Sequence, residues 1–264
     1  MPQPSPATVF SYQMLHAPAQ QHEACLADEV VVAINYNGLN HALMMASPDD
    51  LHDFAIGFSL GQGIIEHAHE LLDISIQPAE EHCQLELQLS SRRLWQLRHH
   101  RRQLAGTSGC GLCGSSALEQ ALPQLRPLPG RGLPPAAHLA DLRQRLSAAQ
   151  TRAQHSGAMH AAGFVDTQGE LRLCREDIGR HNALDKLIGA LASARLPTSE
   201  GFAVVTSRCS LELVHKAVRA GLPTLVSLAA PSQLSVRWAT ALGLNLIHLP
   251  QRAAPRVYQA APAQ

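Results

Sequence analysis

Phe202-Ala203-Val204-Val205-Thr206, Leu222-Pro223-Thr224-Leu225-Val226-Ser227-Leu228 and Leu244-Asn245-Leu246-Ile247-His248-Leu249 are three short apolar runs, and what separates them decides the fold. Between them lie stretches of helical spacing, around Leu213 to Val218 and Val236 to Leu242. Short apolar strands alternating with helices imply parallel strands, right-handed crossovers and helices covering both sides of the sheet. Just upstream, Gly163-Phe164-Val165 and Leu171-Arg172-Leu173 bracket Asp166 to Gly169 as a hairpin. Ala183, Leu184, Leu187, Ile188 and Leu191 then form a helical stripe.

The amino-terminal half reads as a smaller α/β unit. Val30 to Ile34 and Leu39 to Met45 flank Asn37-Gly38, the favoured dipeptide of a tight hairpin turn. Ser47-Pro48-Asp49-Asp50 predicts a cap, a proline at the first helical position and acids in the first turn. The helix that follows carries Leu51, Phe54, Ala55 and Phe58 and ends near Gly61 or Gly63. Leu72, Ile74 and Ile76, and then Cys83, Leu85, Leu87 and Leu89, alternate with polar residues as half-buried strands. The proline-rich stretch from Pro123 to Pro135 is a connector, followed by a helix with Leu139, Leu142, Leu146 and Ala149 on one face. The expected organisation is a loosely ordered, Pro- and Gln-rich leader over residues 1–27, a small α/β domain over 28–105 and a larger α/β domain over 106–264.

Composition narrows the function. The chain has 264 residues, 45% of them hydrophobic, enough for a sizeable core. Its 21 basic and 21 acidic residues cancel, so no global field draws it to nucleic acid or to an anionic membrane, and any anion site is local. No signal peptide or apolar span of membrane length is evident, so the chain is read as soluble and cytoplasmic. Of Cys25, Cys83, Cys110, Cys113, Cys174 and Cys209, four stand alone inside patterned segments rather than in a disulfide spacing, which points to free thiols in a reducing compartment.

The chemistry sits in Gly106-Thr107-Ser108-Gly109-Cys110-Gly111-Leu112-Cys113-Gly114-Ser115-Ser116. Two thiols lie three positions apart among glycines, so a bulky partner can approach the sulfurs. Ser116-Ala117-Leu118-Glu119 has capping-box spacing, and a helix N-terminus there favours thiolate at Cys113 and Cys110. Four readings compete: half a zinc site, a dithiol redox pair, a sulfur carrier, or inert buried thiols. A structural zinc site lacks its second Cys-x-x-Cys. A deaminase-type catalytic zinc needs a His-x-Glu, which none of the fifteen histidines provides, and Gly109 stands where a proline is expected.

Several ordered blocks resemble the FdhD/NarQ family. They are Tyr36-Asn37-Gly38, Met44 to Leu51, Phe54 to Leu60, Gly109 to Gly114, Arg175-Glu176-Asp177-Ile178-Gly179-Arg180-His181-Asn182 through Leu187, and Ser207 through Glu212-Leu213-Val214 to Lys216. The resemblance implies a three-layer α/β/α domain like that of cytidine deaminases, without catalytic zinc. It implies a sulfurtransferase serving formate dehydrogenase, with Cys110 as the persulfide-forming residue and Cys113 as its partner. A cysteine desulfurase would supply the sulfane sulfur, which passes to the molybdenum of bis-molybdopterin guanine dinucleotide. A homodimer is a further suggestion of the family. Thiolate attack on a sulfur already bonded to sulfur suits the loop. A cofactor-binding chaperone without sulfur transfer and a dithiol oxidoreductase are the alternatives.

Within this frame Arg180 and His181 are expected to contact the anionic cofactor or the persulfide near a helix N-terminus. The plainer reading has Asn182 or Asp177 capping that helix and Arg180 paired with Glu176, with Asp185 and Lys186 structural or facing a partner. Arg208 follows a strand at its carboxyl end and is a phosphate candidate, against a simple cap with a solvated arginine. Leu249-Pro250-Gln251-Arg252-Ala253-Ala254 occupies the family's cofactor-contacting position, although Ala253 and Ala254 replace the expected glycine and basic residue. Met159, His160 and Ala161 match a further family block, where His160 reads equally as a core histidine. Arg92, Arg93, Arg98, Arg101 and Arg102, with His99 and His100, form a basic run just before the thiol loop. It reads either as a solvated face or as a docking site for an acidic protein surface or for pyrophosphate.

Overall fold

The computed structural model describes residues 9–106 and 125–258. Cys110 and Cys113, and the helix start expected at Ser115 or Ser116, lie outside the described residues.

A hairpin of β1 (Val9–Met14) and β2 (Ala17–Cys25) opens the chain. Residues 1–27 read as a loose leader, yet from Val9 to Cys25 they form this ribbon. The leader has no period-2 burial signal because β1 is exposed along its whole length, so pairing alone defines the ribbon.

The first core unit is a four-stranded sheet of β3 (Val30–Tyr36), β4 (Leu39–Ala46), β5 (Leu71–Pro78) and β6 (His82–Leu89), in the order β4-β3-β6-β5. Asn37 (φ 49°) and Gly38 (φ 76°) both take the left-handed region that the tight β3–β4 turn requires. Val30, Val32, Ile34 and Tyr36 alternate inward with Leu85, Leu87 and Leu89, and they bury against Phe54, Ala55 and Phe58 of α1 (Leu51–Gly61). This helix begins three residues after Pro48. Asp50 is its N-terminal boundary residue in the left-handed region, and it makes no side-chain cap. The Ser47-Pro48-Asp49-Asp50 stretch is committed to long-range contacts instead: Ser47 to Asp177 and Asp49 to Arg152. Helix α2 (Ser91–Gly106) follows β6, and its Leu94 and Leu97 pack on the same core.

The second unit is a six-stranded sheet ordered β12-β11-β10-β9-β7-β8. Its strands are β7 (His160–Asp166), β8 (Leu171–Asp177), β9 (Gly201–Arg208), β10 (Thr224–Ala229), β11 (Asn245–His248) and β12 (Arg256–Tyr258). Strands β9, β10 and β11 are parallel, as their apolar runs predict, while β7 pairs antiparallel to β8 and β9, and β12 antiparallel to β11. Alternate residues serve opposite faces. Ala203, Val205, Leu225 and Leu246 pack with α5 (Arg180–Ser193), α6 (Leu211–Arg219) and α7 (Gln233–Ala241). Phe202, Val204, Val226 and Ile247 pack with Leu142 and Leu146 of α3 (Leu142–Ala149). The expected helix at Leu139 starts later, because Ala136–Leu139 is a separate 3₁₀ turn. A short α4 (Ala153–Ser156) precedes β7. The mixed α/β class thus holds for both units.

The units join through α1 and α5. Gly57 faces the carbonyl of Asp185 and Gly189 faces the carbonyl of Asp53, so closely that any Cβ would collide with backbone. Around this crossing run buried polar bonds. Lys186 Nζ contacts Asp177 Oδ2 at 2.7 Å, with both side chains at 0% exposure. Asp177 also accepts from the amides of Ser47 (3.0 Å) and Gly179 (2.8 Å) and from Asn182 Nδ2 (3.0 Å). A second buried pair joins Lys216 to both Asp185 oxygens at 2.7 and 2.8 Å, and Arg175 reaches Asp53 at 2.8 Å.

Candidate functional site: the carboxyl edge of the second sheet

Strand direction gathers the candidates. The parallel strands β8, β9, β10 and β11 all end at one edge of the sheet, and antiparallel β7 begins there with His160. Each helix that follows one of these strands must start at the same edge. The N-termini of α5 at Gly179, of α6 at Ser210 and of α7 at Ser232 therefore converge on it. Their aligned dipoles make the edge favourable for anions, although Ser232 Oγ already accepts from the Ser235 amide at the start of α7 and Asp177 from the Gly179 amide at the start of α5.

Arg180 is the first residue of α5 and His181 the second, and His181 Nε2 lies 3.2 Å from Ser210 Oγ, joining the starts of α5 and α6. Arg208 ends β9, exposed and in register with Ala229 of β10. Leu249, Pro250, Gln251, Arg252, Ala253 and Ala254 form the loop that leaves β11 and returns as β12, and residues 251–254 are exposed. The structure thus brings Arg180, His181, Arg208 and the 249–254 loop to one edge, across the strands from β8 to β11. With four strand spacings between those strands, the edge is roughly 19 Å wide.

The acids of the neighbourhood are already engaged, which leaves the edge cationic. Glu176 does not pair with Arg180. It accepts from the amides of Arg152 (3.0 Å) and Ala153 (2.9 Å), and Asp177 holds Lys186. Asn182 reaches back to the carbonyl of Met45 at 2.8 Å rather than capping its own helix. Among the described residues, Arg180, Arg208, Arg252 and Arg256 have no acidic ion-pair partner. The histidines report the same field. Burial, together with Arg180, pushes His160 below its ordinary value. His181 is lowered by burial and by Arg180 and Lys216, against Glu212 at 3.3 Å. His248, 7% exposed with its Nδ1 unpartnered, is lowered by burial, then by Arg256 and Arg143.

Arg143 is the residue that sequence reading missed. Its Nη2 donates to the carbonyls of Leu228 (2.8 Å) and Leu249 (2.9 Å), tying the ends of β10 and β11 together at the root of the 249–254 loop. Nothing in the sequence marks it, because it looks like any arginine on the polar side of a short helix.

Three of the four described thiols, Cys83, Cys174 and Cys209, differ sharply from what a carrier needs. Burial pushes Cys209 and Cys174 up to about 12, the latter with help from Glu176, and burial also raises Cys83. A thiol is nucleophilic only as thiolate. Brief iodoacetamide treatment of the native protein at pH 7.5 is therefore expected to leave Cys83, Cys174 and Cys209 unlabelled, as read by peptide mass mapping. Substantial labelling of Cys209 would contradict the burial described here.

The chain is thus a two-unit α/β protein whose second sheet presents a cationic carboxyl edge at three helix N-termini, with a glycine-rich Cys-x-x-Cys stretch between the two units in the sequence. The sequence matches the FdhD/NarQ family over residues 27–263, and the chain belongs to that family. It is 47% identical over 225 residues, 84% of this chain and 79% of the relative, to the sulfur carrier protein FdhD of Xanthomonas oryzae pv. oryzae. The protein of the same name from Cupriavidus necator is 43% identical over 237 residues, covering 88% and 81% of the two chains. The fold also matches a crystal structure of a protein assigned as a formate dehydrogenase accessory protein from Desulfotalea psychrophila. That match has a TM-score of 0.73 and 23% identity, and it covers 97% of this chain and 96% of the other. Among the described residues no helix is long and apolar enough to cross a membrane.

Proposed function

We propose that this protein is a sulfur carrier that serves a molybdenum enzyme, formate dehydrogenase being the expected client. The observation that carries the reading is the Cys110-Gly-Leu-Cys113 stretch in a chain so similar to proteins named sulfur carriers. Cys110 thiolate attacks the terminal sulfur of a donor cysteine persulfide on a cysteine desulfurase. The donor's S–S bond breaks, its thiolate leaves, and Cys110 holds the new S–S bond with no net oxidation. Cys113 is the neighbouring thiol that receives or resolves the persulfide. Cys113 thiolate then attacks Cys110 Sγ, the persulfide bond breaks, and the outer sulfur leaves at the sulfide level for the molybdenum of bis-molybdopterin guanine dinucleotide, which is cargo rather than a resident cofactor. The Cys110–Cys113 disulfide left behind is reduced by a thiol.

The carboxyl edge supports the cargo assignment. Arg180, Arg208 and Arg252 offer uncompensated charge over a width that an extended dinucleotide spans and a single phosphate does not. Arg143 fixes the root of the loop that carries Arg252. The same edge also favours a second reading, a chaperone that binds the cofactor and moves no sulfur. The two are separated by incubating desulfurase, sulfur-labelled cysteine, this protein and sulfur-free client together. A carrier puts label on the client's cofactor only when this protein is present, whereas a chaperone leaves labelling independent of it. The four described cysteines Cys25, Cys83, Cys174 and Cys209 are all free thiols, in keeping with a reducing cytoplasmic setting.

A further inference from the structure

Helix α2 combines a charge and an exposed ring that its packing does not explain. Ser91–Gly106 contains five arginines and no acidic residue, in a chain of zero net charge. The inner face is accounted for. Leu94 and Leu97 lie on the core, and Arg93 is ion-paired with Glu70 at 2.7 Å and Glu66 at 3.0 Å, so the basic run is not uniformly solvated. The outer face has no such account. Trp95 is 62% exposed, its ring tilted against His99 with centroids 4.3 Å apart, and Arg92, Arg98 and His99 are exposed beside it. A face built only for solvation is made of Lys and Glu and has no use for an indole. Arginine with tryptophan, and without Lys, Asp or Glu, is the composition of the centre of a protein interface.

Position adds a second argument. Cys110 follows Gly106, the last helical residue, by only four positions in the sequence. Trp95 precedes Gly106 by eleven positions, about 16 Å along the axis. The face that carries Trp95 is thus on the element that leads directly into the thiol stretch in the sequence.

We propose that the outer face of α2, centred on Trp95 with Arg92, Arg98 and His99, is the docking surface for an acidic face of the protein that donates sulfur to Cys110. This rests on the sulfur-carrier reading above. A protein fits better than the anionic cofactor, because the cofactor has its own cationic edge at the three helix N-termini, and an indole calls for a partner with apolar as well as acidic surface. Steering by a cationic face raises association rates by about 10–10³-fold and is screened by salt.

The test uses the full chain and two sulfur donors: a cysteine desulfurase with cysteine, and glutathione persulfide. For Arg92→Glu/Arg98→Glu the second-order rate of loading by desulfurase is expected to fall about tenfold or more, in the range of lost electrostatic steering, and for Trp95→Ala about tenfold or more through loss of an aromatic contact at the interface centre. The wild-type rate is expected to fall steeply with added salt. Loading by glutathione persulfide and the melting temperature are expected to stay unchanged. Wild-type loading of both variants by the desulfurase overturns the proposal. So does a loss of GDP binding in the variants with desulfurase loading intact, which assigns the face to the cofactor. If the wild type takes sulfur from neither donor, the sulfur-carrier reading fails. The docking surface is then judged by direct binding of the desulfurase, where equal affinity for wild type and Arg92→Glu/Arg98→Glu overturns it.

Discussion

Replacing Cys110 with alanine is expected to abolish activation of the client enzyme, by two orders of magnitude or more, while leaving the fold and guanine nucleotide binding intact. The separation is possible because the two tasks use different parts of the chain. In the proposed reading nucleotide binding falls to Arg180, His181, Arg208 and the 249–254 loop at the carboxyl edge of the second sheet, where His181 is bonded to Ser210, Arg208 is in register with Ala229, and Arg143 holds the root of the loop. Sulfur holding rests on a thiolate, and burial makes Cys83, Cys174 and Cys209 poor alternatives, the last two pushed up to about 12. The check is client activity after co-expression, set beside a GDP titration of the purified variant. A Cys110→Ala protein that still activates its client would make this chain a chaperone.

The largest stability effect is expected at Lys186. Its ammonium sits with no solvent exposure between Asp177 and the carbonyls of Ser47 (3.1 Å) and Glu176 (3.4 Å). Lys186→Met keeps much of the side-chain volume but leaves Asp177 as an uncompensated buried carboxylate, which costs about 3–5 kcal/mol. For a chain of this size that corresponds to a fall in melting temperature of roughly 6–20 °C. Asp177→Asn introduced into the Lys186→Met background is expected to recover part of the loss, because the amide keeps an oxygen for the Ser47 and Gly179 amides without the charge. A melt of Lys186→Met within a degree or two of wild type would show that the pair contributes little to joining the two units.

These residues also mark how far the sequence could be read. Strands β9 to β11 and the β3–β4 hairpin were legible because period and turn chemistry are local: Phe202 and Val204 face one way, Ala203 and Val205 the other, and Asn37-Gly38 fits only a left-handed turn. The block from Arg175 to Asn182 was legible as important but not as to what each residue does. Arg175, Glu176, Asp177 and Asn182 reach Asp53, the start of α4, Ser47 and Met45, and three of these partners lie more than a hundred residues away. Of this block's polar side chains, Arg180 alone has no hydrogen-bond or ion-pair partner among the described residues, while His181 joins Ser210 and Glu212 at the same edge. Ser47 looked like a helix cap because Ser-Pro-Asp-Asp is a good local start signal, but its amide and hydroxyl go to Asp177 and Ile178. The convergence of three helix N-termini, and the hold of Arg143 on Leu249, follow from strand order and register, which no local pattern encodes.

The account depends on a sulfur atom held at Cys110. Intact-mass measurement after incubation with a cysteine desulfurase and cysteine tests that directly. The wild-type chain is expected to gain the mass of one sulfur, reversibly removed by a thiol reductant, and the Cys110→Ala chain to gain none. A gain of equal size in the Cys110→Ala chain, or no gain in the wild type, contradicts it.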